Sequence, residues 1–386
     1  MITDNAIAIG ADLAPAFMLT LSGRNITENI SPRLIAMTMT DNRGFEADQL
    51  DITLDDSDGF LALPVRGAVL ELFLGWKGSA LIGKGQFTVD EIEYTGAPDT
   101  MTIRARSADF RGTMNTSREE SYHDTTLGAV IEIIAKRNKL KANLAKVFAN
   151  IAVQHIDQSQ ESDSQFLVRL AKRNGAEVSV KNGELLFLKP GSNLTVSGQP
   201  IPIATVERAD GDKHQFSITD RLAYSGVVAR WLDTDSAKQA KQKVKLQRKS
   251  EPSTKSSPSH PNAKVSADHS IQPAGSEYLV GDVNNVLVLP TIYAAKEQAM
   301  QAAQAEWDQQ QRLVAKFTIN LARGNPLLYP EMPLRVRGFK SIIDQQEWTI
   351  VKLEHSLTHD GFTTKLSLEV KLSDVKYEET DSKTSP

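Results

Sequence analysis

The stretch Phe87-Thr-Val-Asp-Glu-Ile-Glu-Tyr94, followed after a short turn by Met101-Thr-Ile-Arg-Ala-Arg-Ser-Ala-Asp109, has a counterpart near the end of the chain. There, Trp348-Thr-Ile-Val-Lys-Leu-Glu-His355 precedes a turn and Leu366-Ser-Leu-Glu-Val-Lys-Leu-Ser-Asp374. In both first strands the apolar residues alternate and then shift phase by one. Phe87 and Val89 give way to Ile92 and Tyr94, and Trp348 and Ile350 give way to Leu353 and His355. Alternation places one set of side chains on one face of a sheet. A one-residue phase shift within it predicts a β-bulge. The second strands alternate cleanly, Met101, Ile103 and Ala105 against Leu366, Leu368 and Val370. The pattern predicts one β unit present twice. A duplicated barrel-like unit without a catalytic cluster points to a scaffold.

Outward from the first unit, residues 16–110 carry short strand patterns divided by turns. Phe17–Leu21, Leu34–Thr40, Leu50–Leu54 and Val69–Leu74 are the strands, and Asp58-Gly59, Gly75–Gly78 and Gly96–Pro98 supply turns. Close spacing of short strands indicates a sandwich or barrel. From about 117 to 210 the period changes. Leu127, Val130, Ile131 and Ile134 stand at helical spacing behind Asp124, read as an N-cap. A second helix starts at Ser162, where Ser162-Asp-Ser-Gln165 has the form of a capping box, and stops at Asn174-Gly175. A hairpin turned at Asn182-Gly183 follows. From Ser236 to about Gly275 the chain is rich in Lys, Gln, Ser and Pro with almost no large apolar residue, which predicts a mobile loop. A helix is expected over 294–313, with Ala295, Ala299, Ala302, Ala303 and Trp307 on one side.

The expected fold is therefore β-rich α+β: two tube-type β-barrels related by internal duplication, an α/β insert and a long polar loop. The boundaries are a first barrel at 1–116, the insert at 117–210 and a second barrel from 211–235 plus 314–376. The loop covers 236–275, a connecting segment and helix 276–313, and a polar tail 377–386.

The 386 residues carry 40% hydrophobic and 24% charged residues, ordinary for a globular protein. The net charge of -4 gives no global attraction to nucleic acid. The absence of cysteine excludes disulfides and thiolate chemistry. The first ten residues show no signal-peptide pattern, and no apolar run is long enough to span a bilayer, so no membrane insertion is expected.

Several motifs invite a chemical reading and do not sustain it. Gly78-Ser-Ala-Leu-Ile-Gly83-Lys84-Gly85 matches a phosphate loop until Gly85 stands where Ser or Thr should hold magnesium. Strand-like residues flank it where a helix should follow. In Asp55-Asp-Ser-Asp-Gly59, alignment on a calcium loop puts Leu54 and Val65 at the first and last ligand positions. His355 and His359 have no third ligand at sensible spacing, and His123 and His155 have the look of packed or surface histidines. No Gly-x-Ser-x-Gly elbow is present, and Glu119-Glu120 is expected in a polar loop. The basic run of Lys238, Lys241, Lys243, Lys245, Arg248 and Lys249 could contact phosphates, but no aromatic residues interleave for base stacking. No catalytic, cofactor or metal site is expected.

Thr40-Asp-Asn-Arg-Gly-Phe-Glu-Ala-Asp-Gln-Leu-Asp-Ile52 resembles the late control protein D family of contractile-tailed phages. So do Leu63–Leu70, Thr102–Gly112, His155–Asp163, Phe362–Thr364 and Leu372–Asp374. The resemblance covers most of the chain and weakens in the first dozen residues and across the Lys/Ser/Pro loop. It implies a structural tail or baseplate hub, akin to the base of type VI secretion spikes, and no enzyme. It implies a homotrimer whose six barrels form a pseudo-sixfold ring. That ring would join a hexameric tail tube protein to a trimeric spike protein. Tape measure protein and other baseplate proteins would be neighbours, and DNA would be cargo through the lumen. The location implied is the virion or tailocin particle, with assembly in the host cytoplasm. The loop between two strands of the first barrel, with Asp41, Asn42, Arg43, Phe45, Glu46 and Asp48, is expected to contact a neighbouring ring or subunit. The rival readings are a DNA-binding late-gene regulator and a tail-tip cell-wall hydrolase.

Overall fold

The computed structural model describes residues 14–107, 113–181, 183–195, 197–219, 224–232, 241–248, 285–293, 295–371 and 377–382, with backbone alone for 113, 241–248, 371 and 377–382. The alternating segments at the front form β1 (Pro15–Leu21), β2 (Arg24–Asn25), β3 (Leu34–Asn42), β4 (Gln49–Asp55), β5 (Val69–Trp76), β6 (Ile82–Thr95) and β7 (Thr100–Arg106). Next come β8 (Ser117–Thr126), β9 (Lys141–Leu144), β10 (Ala152–Ser162), β11 (Glu177–Lys181), β12 (Glu184–Leu188) and β13 (Ala204–Glu207). The remainder is β14 (Gly211–Ile218), β15 (Gly226–Leu232), β16 (Lys241–Arg248), β17 (Val286–Tyr293), β18 (Ala315–Leu321), β19 (Pro333–Arg337), β20 (Glu347–Thr358), β21 (Gly361–Lys371) and β22 (Tyr377–Ser382).

Thirteen strands share one sheet, in the order β14-β18-β21-β20-β3-β4-β7-β6-β5-β1-β2, with β13 beside β19 and β19 beside β20. Both predicted phase shifts are bulges. In β6–β7, Val89 faces Ala105 and Glu91 faces Arg104, leaving Asp90 over. In β20–β21, Ile350 faces Leu368 and Lys352 faces Ser367, leaving Val351 over. The extra residue turns the apolar set from one side of the pleat to the other, so that Leu353, His355 and Leu357 remain buried. Among the described residues the sheet is open, with β14 and β2 at its ends, where two closed barrels were expected.

The sheet covers two separate cores. Leu19, Leu50, Ile52, Leu72, Phe87 and Val89 belong to the first, and Phe317, Ile319, Trp348, Ile350, Leu353 and Leu366 to the second. Trp348 is fully buried, and its Nε1 donates to Ile343 O at 3.0 Å, which satisfies the one polar atom of the largest core side chain.

The α/β unit packs helices Leu127–Arg137 and Asp163–Asn174 around Val130, Ile131, Phe166, Leu167 and Phe187. Ser162 and Gln165 form the capping box, and Gly175 closes the helix in the left-handed conformation (φ 64°). The first helix is capped by Thr126, whose Oγ1 accepts from Ala129 N at 3.3 Å, in place of Asp124. Asp124 sits two residues before the cap position and lies within β8.

Other expectations are corrected by strand pairing. Lys241–Arg248, expected in the mobile loop, is a strand between β15 and β22. Val244 and Leu246 alternate with polar residues there, a local signal that the polar average of the segment conceals. The rest of that loop lies outside the described residues. Tyr377–Ser382 of the expected polar tail is the other edge strand of this sheet, whose order is β17-β15-β16-β22. Only the β14 portion of 211–235 joins the main sheet, because β15 pairs with β16 and β17 and packs Val227, Ala229 and Trp231 against the helix Lys296–Leu313. β13, expected in the α/β insert, pairs with β19. No helix among the described residues is long and apolar enough to cross a membrane.

Candidate functional site

The loop between β3 and β4 turns into the molecule. It was expected to face a neighbour, yet Asp41, Asn42 and Asp48 are buried. The Arg43 side chain is only 8% exposed and ion-pairs with Glu331 and with Glu369 of β21. Arg43 N donates to the carbonyl of the bulged Val351 at 2.9 Å, so the bulge fixes the place where the loop crosses β20. Phe45 packs against the core of the α/β unit, and Glu46 alone of the six is exposed. Gly44 is required here: it takes φ 81°, and a Cβ would come within 3.1 Å of Glu177 Oε2.

Lys181, at the end of β11, supplies the second cation. It ion-pairs with Asp41, donates to Asn42 O at 2.9 Å and to Asp48 Oδ1 at 3.1 Å. Asn42 N also donates to Asp48 Oδ1 at 2.9 Å, and Asp48 N donates to Ser107 Oγ at 2.9 Å. Burial pushes the Asp48 carboxyl up to about 6, helped by Asp41 and opposed by Lys181. Burial pulls Lys181 down, but Asp41 and Asp48 more than offset it and its pKa is raised. Glu369 and Glu177 are both raised by burial against the pull of Arg43.

Beside this network opens a cavity of about 430 Å³, lined in part by Lys84, Lys181, Leu186, Leu327 and Tyr329. Lys84 Nζ donates to Leu328 O at 3.3 Å, and burial lowers its pKa to about 8. His355 is buried behind it, held well below the ordinary value by burial and by Lys84, with Nδ1 2.8 Å from Thr364 Oγ1. Two arrangements of charge thus meet at one joint: Arg43 with glutamates from the C-terminal half, and Lys181 with aspartates from the N-terminal half. Their chemistry is structural, since each charge is compensated by a fixed partner and neither cluster leaves a nucleophile beside a base.

Sequence reasoning found one half of this network and missed the other. Lys181, Glu331 and Glu369 lie far along the chain from residue 43, and each is a single charge in an unremarkable strand or loop. The other histidine pair, His123 and His155, faces across β8–β10 with Nδ1 atoms 3.0 Å apart on an exposed face. Gly78–Gly85 spans the turn after β5 and the first four residues of β6, so a strand stands where a phosphate loop needs a helix.

A sheet-dominated chain with an α/β unit locked to it by buried ion pairs has the architecture of an assembly component. The sequence pattern of the phage tail baseplate hub family (GPD) matches residues 42–361. The chain is 60% identical over 382 residues to the "probable baseplate hub protein" of Escherichia phage 186, covering 98% of each chain. It is 57% identical over 376 residues to that of Escherichia phage P2, covering 96% of this chain and 97% of the relative. The chain belongs to the phage tail baseplate hub family. It is a structural component of the virion tail baseplate, not an enzyme. Its fold is also that of a 43 kDa tail protein of prophage MuSo2 from Shewanella oneidensis (TM-score 0.61, 15% identity, 92% of this chain and 98% of that one). An E. coli component of the type VI secretion system shares it as well (TM-score 0.51, 12% identity, 93% and 78% covered).

Proposed function

We propose that this hub is a symmetry adaptor: three copies form a ring that presents six similar β units to the tail tube on one side and a trimeric spike on the other. The observation that supports this is a repeat in strand pairing. β3-β4-β7-β6-β5 and β14-β18-β21-β20-β19 run in the same order, every neighbour antiparallel. Counted from the two bulges the registers coincide. Leu70 faces Phe87 as Leu334 faces Trp348. Val89 and Leu50 flank Ala105 as Ile350 and Phe317 flank Leu368. On this register Ile103 corresponds to Leu366 and Met101 to Thr364, two residues from the correspondence that apolar alternation alone suggests. The second unit carries an insertion, β15 to β17 and the helix Lys296–Leu313, between its first two strands.

Two equivalent units in one chain turn threefold symmetry into an approximate sixfold one, which a hexameric tube can meet. On this reading the spike, tube, tape measure and other baseplate proteins are its partners, assembly takes place in the host cytoplasm, and DNA crosses the lumen as cargo. Of the loop 41–48, Glu46 is the side chain open to a neighbour; the others hold the joint. Light scattering tests the ring. A mass about three times 42.4 kDa, alone or with the spike, supports it; one chain's mass in both conditions overturns it.

A further inference from the structure

The two units are joined inside the chain by one junction, and the same junction is half-built at each end. The C-terminal half of β20 holds β21 on one edge and β3 on the other, with Leu353 facing Asp41, Glu354 facing Thr40, His355 facing Met39 and Ser356 facing Thr38. β6 is its counterpart. It holds β7 along Thr88–Thr95, but β5 only as far as Thr88. Beyond the bulge, the outer edge of Glu91–Thr95 has no ladder among the described residues. β14 is the counterpart of β3. It pairs with β18 on one edge and ends the sheet on the other.

We infer that the free half of β6 in one copy pairs antiparallel with β14 of the next copy, repeating the β20–β3 junction between chains. Transferring the internal register sets Ile92 opposite Ile218, Glu93 opposite Ser217, Tyr94 opposite Phe216 and Thr95 opposite Gln215. The side chains agree with that register. Tyr94 is 52% exposed, whereas its internal counterpart His355 and that residue's partner Met39 are each 1% exposed. Ile92 lies half-buried at the rim of the first core, and Phe216 and Ile218 at the rim of the second. The pairing would complete two apolar cross-strand contacts, one aromatic with aromatic, where each edge now shows half of one. An unpaired edge is a template for another strand, and here the two edges differ. Their contact is therefore head to tail, of the kind that closes into a ring or runs on as a filament. Closure at three rests on the ring proposed above; the pairing does not.

The chain has no cysteine, so engineered pairs report without background. Two doubles are made in the full chain, Tyr94→Cys with Phe216→Cys and Thr95→Cys with Gln215→Cys. Successive antiparallel pairs alternate between wide and narrow, so one of the two occupies the narrow spacing of about 4.5 Å between Cα atoms that a disulfide spans. The second pair is exposed in both strands, so folding does not depend on it. A third double, Thr95→Cys with Thr219→Cys, lies four residues out of register. Each is oxidised mildly in the purified chain and in assembled tails, then separated without reductant. The expected result is a covalent trimer from at least one in-register pair, at least tenfold above the out-of-register pair. Trimeric hubs or intact tails with no cross-link from either in-register pair overturn the pairing and leave the ring standing. A ladder that continues past three chains keeps the pairing and overturns the ring. Single chains throughout, in solution and in tails, overturn both.

Discussion

Arg43 shows how much one side chain can decide. Its guanidinium is enclosed by Glu331 and Glu369, with Arg312 Nε 3.4 Å from the same Glu369 oxygen. Removing a partner from a buried pair leaves an uncompensated charge and costs about 3–5 kcal/mol. Arg43→Met should therefore lower stability by that amount in urea unfolding, with a smaller loss at acid pH, where Glu369, already raised by burial, is protonated. Lys181→Met should act likewise through Asp48. The Asp48 pKa rises from 3.8 to about 6 on folding. Its contribution to stability is thus fully present below about 3.8 and lost as pH rises through about 6. Without Lys181 that loss deepens, so the variant should be penalised more at pH 8 than at pH 5. Lys84 has the opposite dependence. Its pKa falls from 10.5 to about 8 on folding, so its contribution is present above 10.5 and lost as pH falls through about 8. The wild type should gain on the order of 1–2 kcal/mol between pH 7 and pH 10 relative to Lys84→Met, screening by solvent included. Equal slopes for the two chains would refute that assignment.

At the scale of the element, the bulges carry the design. Val351 is the extra residue of β20, and its carbonyl receives Arg43 N. Deleting it moves Leu353, His355 and Leu357 to the other face of the sheet or their partners out of register. No single replacement side chain can restore that. The deletion should abolish cooperative melting followed by near-ultraviolet circular dichroism, whereas Val351→Ala, which keeps the bulge, should leave a cooperative melt. Trp348→Ala removes the largest buried side chain of the second core and should cost about 3–5 kcal/mol.

At the scale of the molecule, the two halves are one sheet and should unfold as one. Phe362 of β21 packs in the first core, and Gly324, in the loop before β19, sits over its ring. Gly324 N donates to Phe362 O at 2.7 Å, and Gly324 O accepts from Trp76 Nε1 at 3.0 Å. A Cβ on Gly324 would lie 2.7 Å from the Phe362 ring. Gly324→Ala should cost about 1–3 kcal/mol, the usual penalty of overpacking. Calorimetry should show both halves shifting together. A second transition appearing in the variant would mean that the halves are separable.

What the sequence determined by itself is whatever repeats at short range. Alternation at Phe87, Val89, Trp348 and Ile350 determined strands, the phase shift after each pair determined bulges, and Ser162 with Gly175 determined both ends of a helix. Those signals are local because strand and helix periods are properties of a few consecutive backbone units. The motifs of the hub family were legible in the same way. The tertiary structure alone decided that the loop at 41–48 turns inward, because its partners Lys181, Glu331 and Glu369 are brought to it by packing and not by spacing. It also decided which strands receive Lys241–Arg248: the alternation at Val244 and Leu246 is a weak local signal, and the partners β15 and β22 come from distant parts of the chain. It also decided that the duplicated units are two residues offset from their apparent match. The bulge, and not the apolar alternation, is the fixed point from which backbone hydrogen bonds count the register.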